Sequence, residues 1–179
     1  MMLEGELVRL RAVTEDDMKV LFRMFNDPAA YGEYEDFDPI DWYAFEKEER
    51  ERGNTPGRAA LLLVEKKEGK AVVGIIFHRV SHPVLKNTEI GYAILNTAER
   101  GKGYASEAAR LVVDYLFLNR NIERIEAITD TRNIPSQRVL EKCSFQKEGT
   151  LRKARFVAAA YRDCYIYSLL REEWSPPKN

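Results

Sequence analysis

The stretch from Thr88 to Leu116 constrains this chain more than any other. TEIGYAIL is rich in β-branched and aromatic residues and reads as a strand. Asn96 to Gly103 is polar and carries two glycines, and Ala105, Ala108, Ala109, Val112 and Leu116 then recur at helical spacing. A strand, a glycine turn and a helix in succession aim the first N–H groups of the helix back at the turn. With Arg100, Gly101, Lys102, Gly103, Tyr104 and Ala105 in it, the turn reads as an anion site. Its glycines let backbone approach a ligand, and the helix start adds partial positive charge. Taken alone, the same residues also fit a plain chain reversal. On the helix, Ser106, Glu107, Arg110 and Asp114 read as the solvent side.

The flanking segments set the fold class. ELVRLRAV reads as a first strand through Leu7, Leu10 and Val13, and Thr14 followed by Glu15, Asp16 and Asp17 signals a helix start. Met18, Leu21, Phe22 and Phe25 continue that helix until Asn26-Asp27-Pro28, and a second helix over 39–52 places Trp42 and Phe45 inward. Between them AAYGEYEDFD has no period and reads as a mobile loop. Strands over 58–65 and 71–80 flank a turn at Lys66–Lys70, and a polar loop with His82-Pro83 follows. After the central helix come a strand near 123–129, a short helix from Pro135 to about Cys143, and strands near 145–156 and 161–170. The order predicts an α+β fold: a mixed, mostly antiparallel sheet of about seven strands with helices on both faces.

Composition removes several function classes. A length of 179 residues matches one compact domain over 1–179. Twenty-eight basic against 29 acidic residues leave a charge of −1. The sequence pI of about 6.2 lies far below the ~9 of a dedicated nucleic-acid binder. No apolar run reaches the ~18–20 residues of a membrane span, and acidic residues without an apolar core at the start argue against a signal peptide. These features predict a cytoplasmic protein. Cys143 and Cys164 make no metal spacing and read as reduced, buried thiols. His78 and His82 have no carboxylate or cysteine partners nearby and read as structural or solvent-facing.

Three phosphate-binding patterns compete for the glycine turn. GxxxxGK[ST] is absent. GxGxxG fails at Ser106, although Glu123 falls where a ribose-binding acid would stand, and the preceding hairpins are the wrong context for it. The third pattern, [R/Q]xxGx[G/A], is met by Arg100, Gly103 and Ala105. Asn133-Ile134-Pro135-Ser136 followed by Leu140-Glu141-Lys142-Cys143-Ser144-Phe145 resembles NxxSxxxLEKxGF, and the LLREEW ending and ELVRLRAVTEDD opening match in kind. On these residues the chain is similar, over nearly its whole length, to the GNAT N-acetyltransferase superfamily and its RimJ/RimL-like branch.

That resemblance implies the acyl-CoA N-acyltransferase fold, acetyl-CoA as co-substrate, no metal and possible pairing into a homodimer. It implies transfer of acetyl to a primary amine by direct attack in a ternary complex. The acceptor it implies is a protein N-terminus or, second, a polyamine- or aminoglycoside-like amine. It places the pyrophosphate on Arg100–Ala105, the pantetheine arm on Asn133, and the oxyanion donor within Tyr92–Leu95, so on Ile94 or Leu95. Glu89 becomes the candidate base, although an exposed strand-end glutamate fits equally; an ordinary glutamate, near ~4.3, takes an amine's proton only through water or when raised by burial. Two departures matter. Ser144 replaces a glycine, and Leu140 stands where many members carry a tyrosine acid, which leaves Ser136, one turn earlier, as the candidate acid. A thiol near ~8.5 leaves more readily than an amine near ~10, so that acid assists without being decisive. Tyr31, Tyr34 and Phe37 among Glu33, Glu35, Asp36 and Asp38 suggest an acidic acceptor mouth, and specificity is expected in 27–40, 81–87 and the last hairpin. The alternative from another class is a non-catalytic CoA- or dinucleotide-binding module.

Overall fold

The structure is a computed structural model, which describes residues 2–35, 37–53, 60–81, 84 and 87–177. Asp36, His82, Pro83 and the expected strand start at 58–59 lie outside the described residues.

Strands β1 (Met2–Glu4) and β2 (Val8–Ala12) lead into a one-turn 3-10 helix and α1 (Met18–Phe25), and then α2 (Pro28–Tyr31) and α3 (Trp42–Gly53). Strands β3 (Ala60–Lys66), β4 (Val72–Val80) and β5 (Thr88–Ile94) precede α4 (Tyr104–Asn119), and β6 (Arg124–Asp130), α5 (Ile134–Lys142), β7 (Gln146–Val157) and β8 (Ala160–Leu170) complete the chain. Among the described residues the sheet has eight strands in the order β1-β2-β3-β4-β5-β6-β8-β7. The extra strand is β1, three residues paired through Leu3 and Leu10 and too short for any periodicity to reveal. All pairings are antiparallel except β5 with β6, whose crossover is α4.

Two cores lie on the two faces. On one, Val8, Leu10, Leu62, Val64, Ile76 and Ile90 pack beneath α4 and α5. On the other, Leu61, Leu63 and Ile75 meet Leu21 of α1, Ala30 of α2 and Phe45 of α3. Strand β2 faces inward through Val8 and Leu10; Leu10 is buried as expected, whereas Leu7, just before the strand, is exposed. The segment read as a loop holds α2, whose first turn is capped by Asp27 accepting from Ala29 N–H. No described helix is long and apolar enough to cross a membrane.

The solvent side assigned to α4 is wrong for two residues. Ser106 and Glu107 are buried. Glu107 Oε1 accepts from Glu6 N–H at 2.9 Å, and its Oε2 accepts from Leu7 and Val8 N–H at 2.8 and 2.7 Å. A carboxylate that collects three N–H groups can be buried without an unpaired charge. Helical periodicity could not show this, because the donors come from a turn about a hundred residues earlier.

Candidate active site

Strands β5 and β6 pair only at Thr88↔Ile125 and Glu89↔Glu126, and beyond that point they part. On its other edge β5 stays in register with β4 as far as Gly74↔Ile94, and Leu95 N–H donates to Val73 O at 2.9 Å. Backbone groups of a strand alternate in direction, so if Leu95 points to β4, Ile94 and Tyr92 point away from it, into the gap. The carbonyl of Ile94 fits this alternation by accepting from Arg100 Nε at 2.9 Å. The seam therefore offers unladdered backbone N–H groups from Tyr92 and Ile94. Leu95 departs from the expectation: its N–H is engaged and its side chain is buried against the α1–α3 face.

The glycine turn closes the open end of the seam. Gly101 and Gly103 have φ of +78° and +89°, a left-handed backbone that other residues adopt only with strain. Gly103 is the N-cap of α4 and has no side chain to satisfy the first helical N–H groups, which leaves them for a ligand. Tyr104 and Ala105 supply that first turn. Beside it, a depression of about 420 Å³ is lined by Glu6, Leu7, Lys66, Lys67, Glu68 and Tyr104. The basic side chains have partners already. Arg100 holds Ile94 O and, at 2.6 Å, Ala30 O, while Lys102 and Lys66 reach the two oxygens of Glu99 at 2.9 and 3.2 Å. Lys102, then Lys66, hold the Glu99 carboxyl below the usual range. The groups of the turn that are left for an anion are thus chiefly backbone.

Helix α5 supplies the wall across the seam. Asn133 is its N-cap, and Oδ1 accepts from Ser136 N–H at 3.1 Å, so the cap leaves the amide NH2 as the half that can meet a ligand. The Tyr92 hydroxyl lies 3.1 Å from Ser136 Oγ and 3.2 Å from Ser136 O, so its single hydrogen can go to either oxygen. Sequence reasoning used Tyr92 only for its backbone. Burial raises the Tyr92 phenol above the ordinary tyrosine value, and its bond to Ser136 offsets only part of that.

Glu89 sits at the point where the strands part. Its side chain is buried, and Arg79 meets its two oxygens at 2.9 and 3.4 Å. Ile90, Tyr92 and Ile94 pack on the α4–α5 face and Ala93 and Leu95 on the α1–α3 face, so alternation puts Glu89 on the latter. Ser136 stands on the former. The two expected catalytic groups therefore flank the seam from opposite faces of the sheet.

The acceptor-side segment is tied to the last hairpin. Arg155 pairs with Glu35 at 2.6 Å, and Arg162 donates to Glu33 O. An acidic mouth is thereby modified, since the Glu35 charge is met by an arginine and Glu33 contributes its carbonyl. His78 is buried near Tyr115, away from these groups, and burial lowers its pKa. Burial also pushes the Cys143 thiol up to about 11, consistent with an inert core cysteine.

Residues 8–146 match the model of the acetyltransferase (GNAT) domain. The chain is 32% identical over 173 residues to an N-acetyltransferase designated p20 from Bacillus licheniformis, covering 95% of this chain and 96% of that one. It is 24% identical to a ribosomal-protein-serine acetyltransferase of Escherichia coli K12, covering 92% and 93% of the two chains. The fold is shared with RimL, a ribosomal L7/L12 alpha-N-protein acetyltransferase solved in complex with coenzyme A, at TM-score 0.84 and 18% identity over 97% of this chain and 99% of that one. These matches, on a split sheet with a glycine turn before its central helix, make the chain a member of the GNAT family of N-acetyltransferases, with RimL-like ribosomal-protein acetyltransferases among its relatives.

Proposed function

We propose that the chain moves acetyl from acetyl-CoA to a primary α-amine at a protein N-terminus, by direct attack within a ternary complex. The observation that carries this reading is the seam with Glu89 on one face and Ser136 on the other. A thioester lying in the seam presents its carbonyl to amine from one side and its sulfur to a donor on the other.

The chain's residues then divide the work. The N–H groups of Gly103, Tyr104 and Ala105, within Arg100–Ala105, bind the pyrophosphate, with Gly101 and Gly103 giving the turn its shape and Arg100 and Lys102 setting the local charge. Asn133 orients the pantetheine arm through its amide. Tyr92 or Ile94 N–H meets the oxygen that gains charge as the amine attacks. Glu89, directly or through water, takes the proton from the attacking nitrogen. The new C–N bond forms as the C–S bond breaks, sulfur leaves with the electron pair, and Ser136 donates a hydrogen bond to it. The pairing of Glu35 with Arg155 removes acidity from the acceptor mouth, which favours an N-terminal amine over a free polycation. Residues 27–35 and the β7–β8 hairpin meet at this mouth and form the specificity surface.

The test mixes the protein with acetyl-CoA and one of several amines, and reads free thiol. Peptides with a free α-amine should release coenzyme A, their N-acetylated forms should not, and spermidine should do so poorly. Gly103→Val should remove acetyl-CoA affinity while a folded spectrum persists. Acetyl-CoA binding without thiol release on any amine would leave a binding module and overturn the reading.

A further inference from the structure

The Tyr92 hydroxyl reaches across the open seam, from β5 to α5, and the steps above do not use it. It has a single hydrogen and two acceptors near it, Ser136 O at 3.2 Å and Ser136 Oγ at 3.1 Å. The two choices have opposite consequences. If Tyr92 donates to the carbonyl, the serine hydrogen is drawn to the tyrosine oxygen and turned away from the seam. If Tyr92 donates to Oγ, the serine hydrogen is free to rotate towards whatever lies in the seam. Ser136 O, in the first turn of a helix that runs from Ile134 to Lys142, faces the helix's own donor four residues on. Negative charge developing on sulfur favours the second arrangement, because a chain of hydroxyls pointing one way towards an anion is mutually polarising.

We propose that Tyr92 is a positioning residue for acetyl transfer: its hydroxyl donates to Ser136 Oγ, fixes the serine rotamer, and leaves the serine proton directed at the departing sulfur. The inference rests on the reading of Ser136 as the group that meets that sulfur. Tyr92 donates a hydrogen bond here and not a proton. Its phenol is raised by burial, whereas a free thiol titrates near ~8.5, so a proton passed to sulfur through Ser136 has no reason to come from the tyrosine. The leaving group's proton comes from solvent by way of Ser136.

A double-mutant cycle on the full chain separates the possibilities. Tyr92→Phe keeps the ring in its packing and removes only the hydroxyl. We expect kcat to fall about 2–10-fold, the worth of one hydrogen bond at the transition state, with acetyl-CoA affinity unchanged. In a Ser136→Ala background the same substitution should cost nothing further in kcat, because the group it positions is gone. Two results overturn the proposal: wild-type kcat in Tyr92→Phe, or an equal fall in kcat in both backgrounds. A role confined to packing would lower the melting temperature of Tyr92→Phe and leave its kcat alone. If Ser136→Ala alone has wild-type kcat, the Ser136 reading itself fails, so the single variant tells the two failures apart.

Discussion

Glu89 is held by Arg79 at the last paired position of the seam, so its substitution tests position and proton transfer together. Glu89→Gln should depress kcat/KM near neutral pH, and the deficit should shrink as pH approaches the amine's own pKa, where unprotonated acceptor is plentiful. A pH-independent deficit would make Glu89 a residue that orients acceptor. Legibility at this scale followed the range of the signal. Gly101 and Gly103 announce themselves because a left-handed φ selects glycine locally. Glu89 and Ser136 follow from the family resemblance, but their placement on opposite faces does not, since it depends on where β5 and β6 stop pairing. The Tyr92 side chain was invisible because its partner is 44 residues away. Leu95 was misplaced because the alternation that turns its N–H to Val73 is set by the register of β4, which no sequence window contains.

Among the elements, α4 does two jobs with its first turn. Its backbone follows the glycine turn, and Glu107 reaches into the β1–β2 connection. Gly5 is required there, because a Cβ would come within 2.5 Å of the Glu107 carboxyl carbon. Glu107→Ala leaves three N–H donors of residues 6–8 without their acceptor and should cost about 2–4 kcal/mol in urea unfolding. Glu107→Gln, which keeps one acceptor oxygen, should cost less. An exposed residue would show neither effect, so equal midpoints for all three proteins would refute the tether. The helices and the long strands were readable from period and caps, including the Thr14–Asp17 box that opens the first helical segment. What periodicity missed were the elements shorter than its window, β1 and α2, and the inward glutamate whose donors lie far along the chain.

Across the whole molecule, arginine–carboxylate pairs set the acid limit of stability. Glu148 meets Arg124 at 2.6 and 2.5 Å and Ser168 at 2.6 Å, and these bonds, Arg124 first, lower its carboxyl to about 2. Asp17 is held low in the same way, first by Arg11 at 2.7 and 2.8 Å. A carboxyl lower in the fold than in the unfolded chain, near ~4, adds stability above that value and loses it as pH falls below. Glu148→Gln should therefore lower the melting temperature at pH 6 to 7, and the gap from wild type should close as pH falls from about 4 towards 2. Added salt should narrow it as well, since the Glu148 side chain is 40% exposed. A gap that is constant with pH would mean that packing, and not charge, is lost.

The parting of β5 from β6 also bears on solubility. A sheet that opens along an interior seam has two extra strand edges, each a row of unladdered backbone that invites pairing with another chain. Here α4 and α5 roof one face of that seam, with Ile90 of β5 and Ala127 of β6 in the core beneath them, while on the second face Ile128 of β6 is exposed. A β-strand adding there would have to bury the side chains of one face against that roof, which blunts both edges as pairing templates. On the function proposed above, a bound pantetheine arm would cover the same two edges.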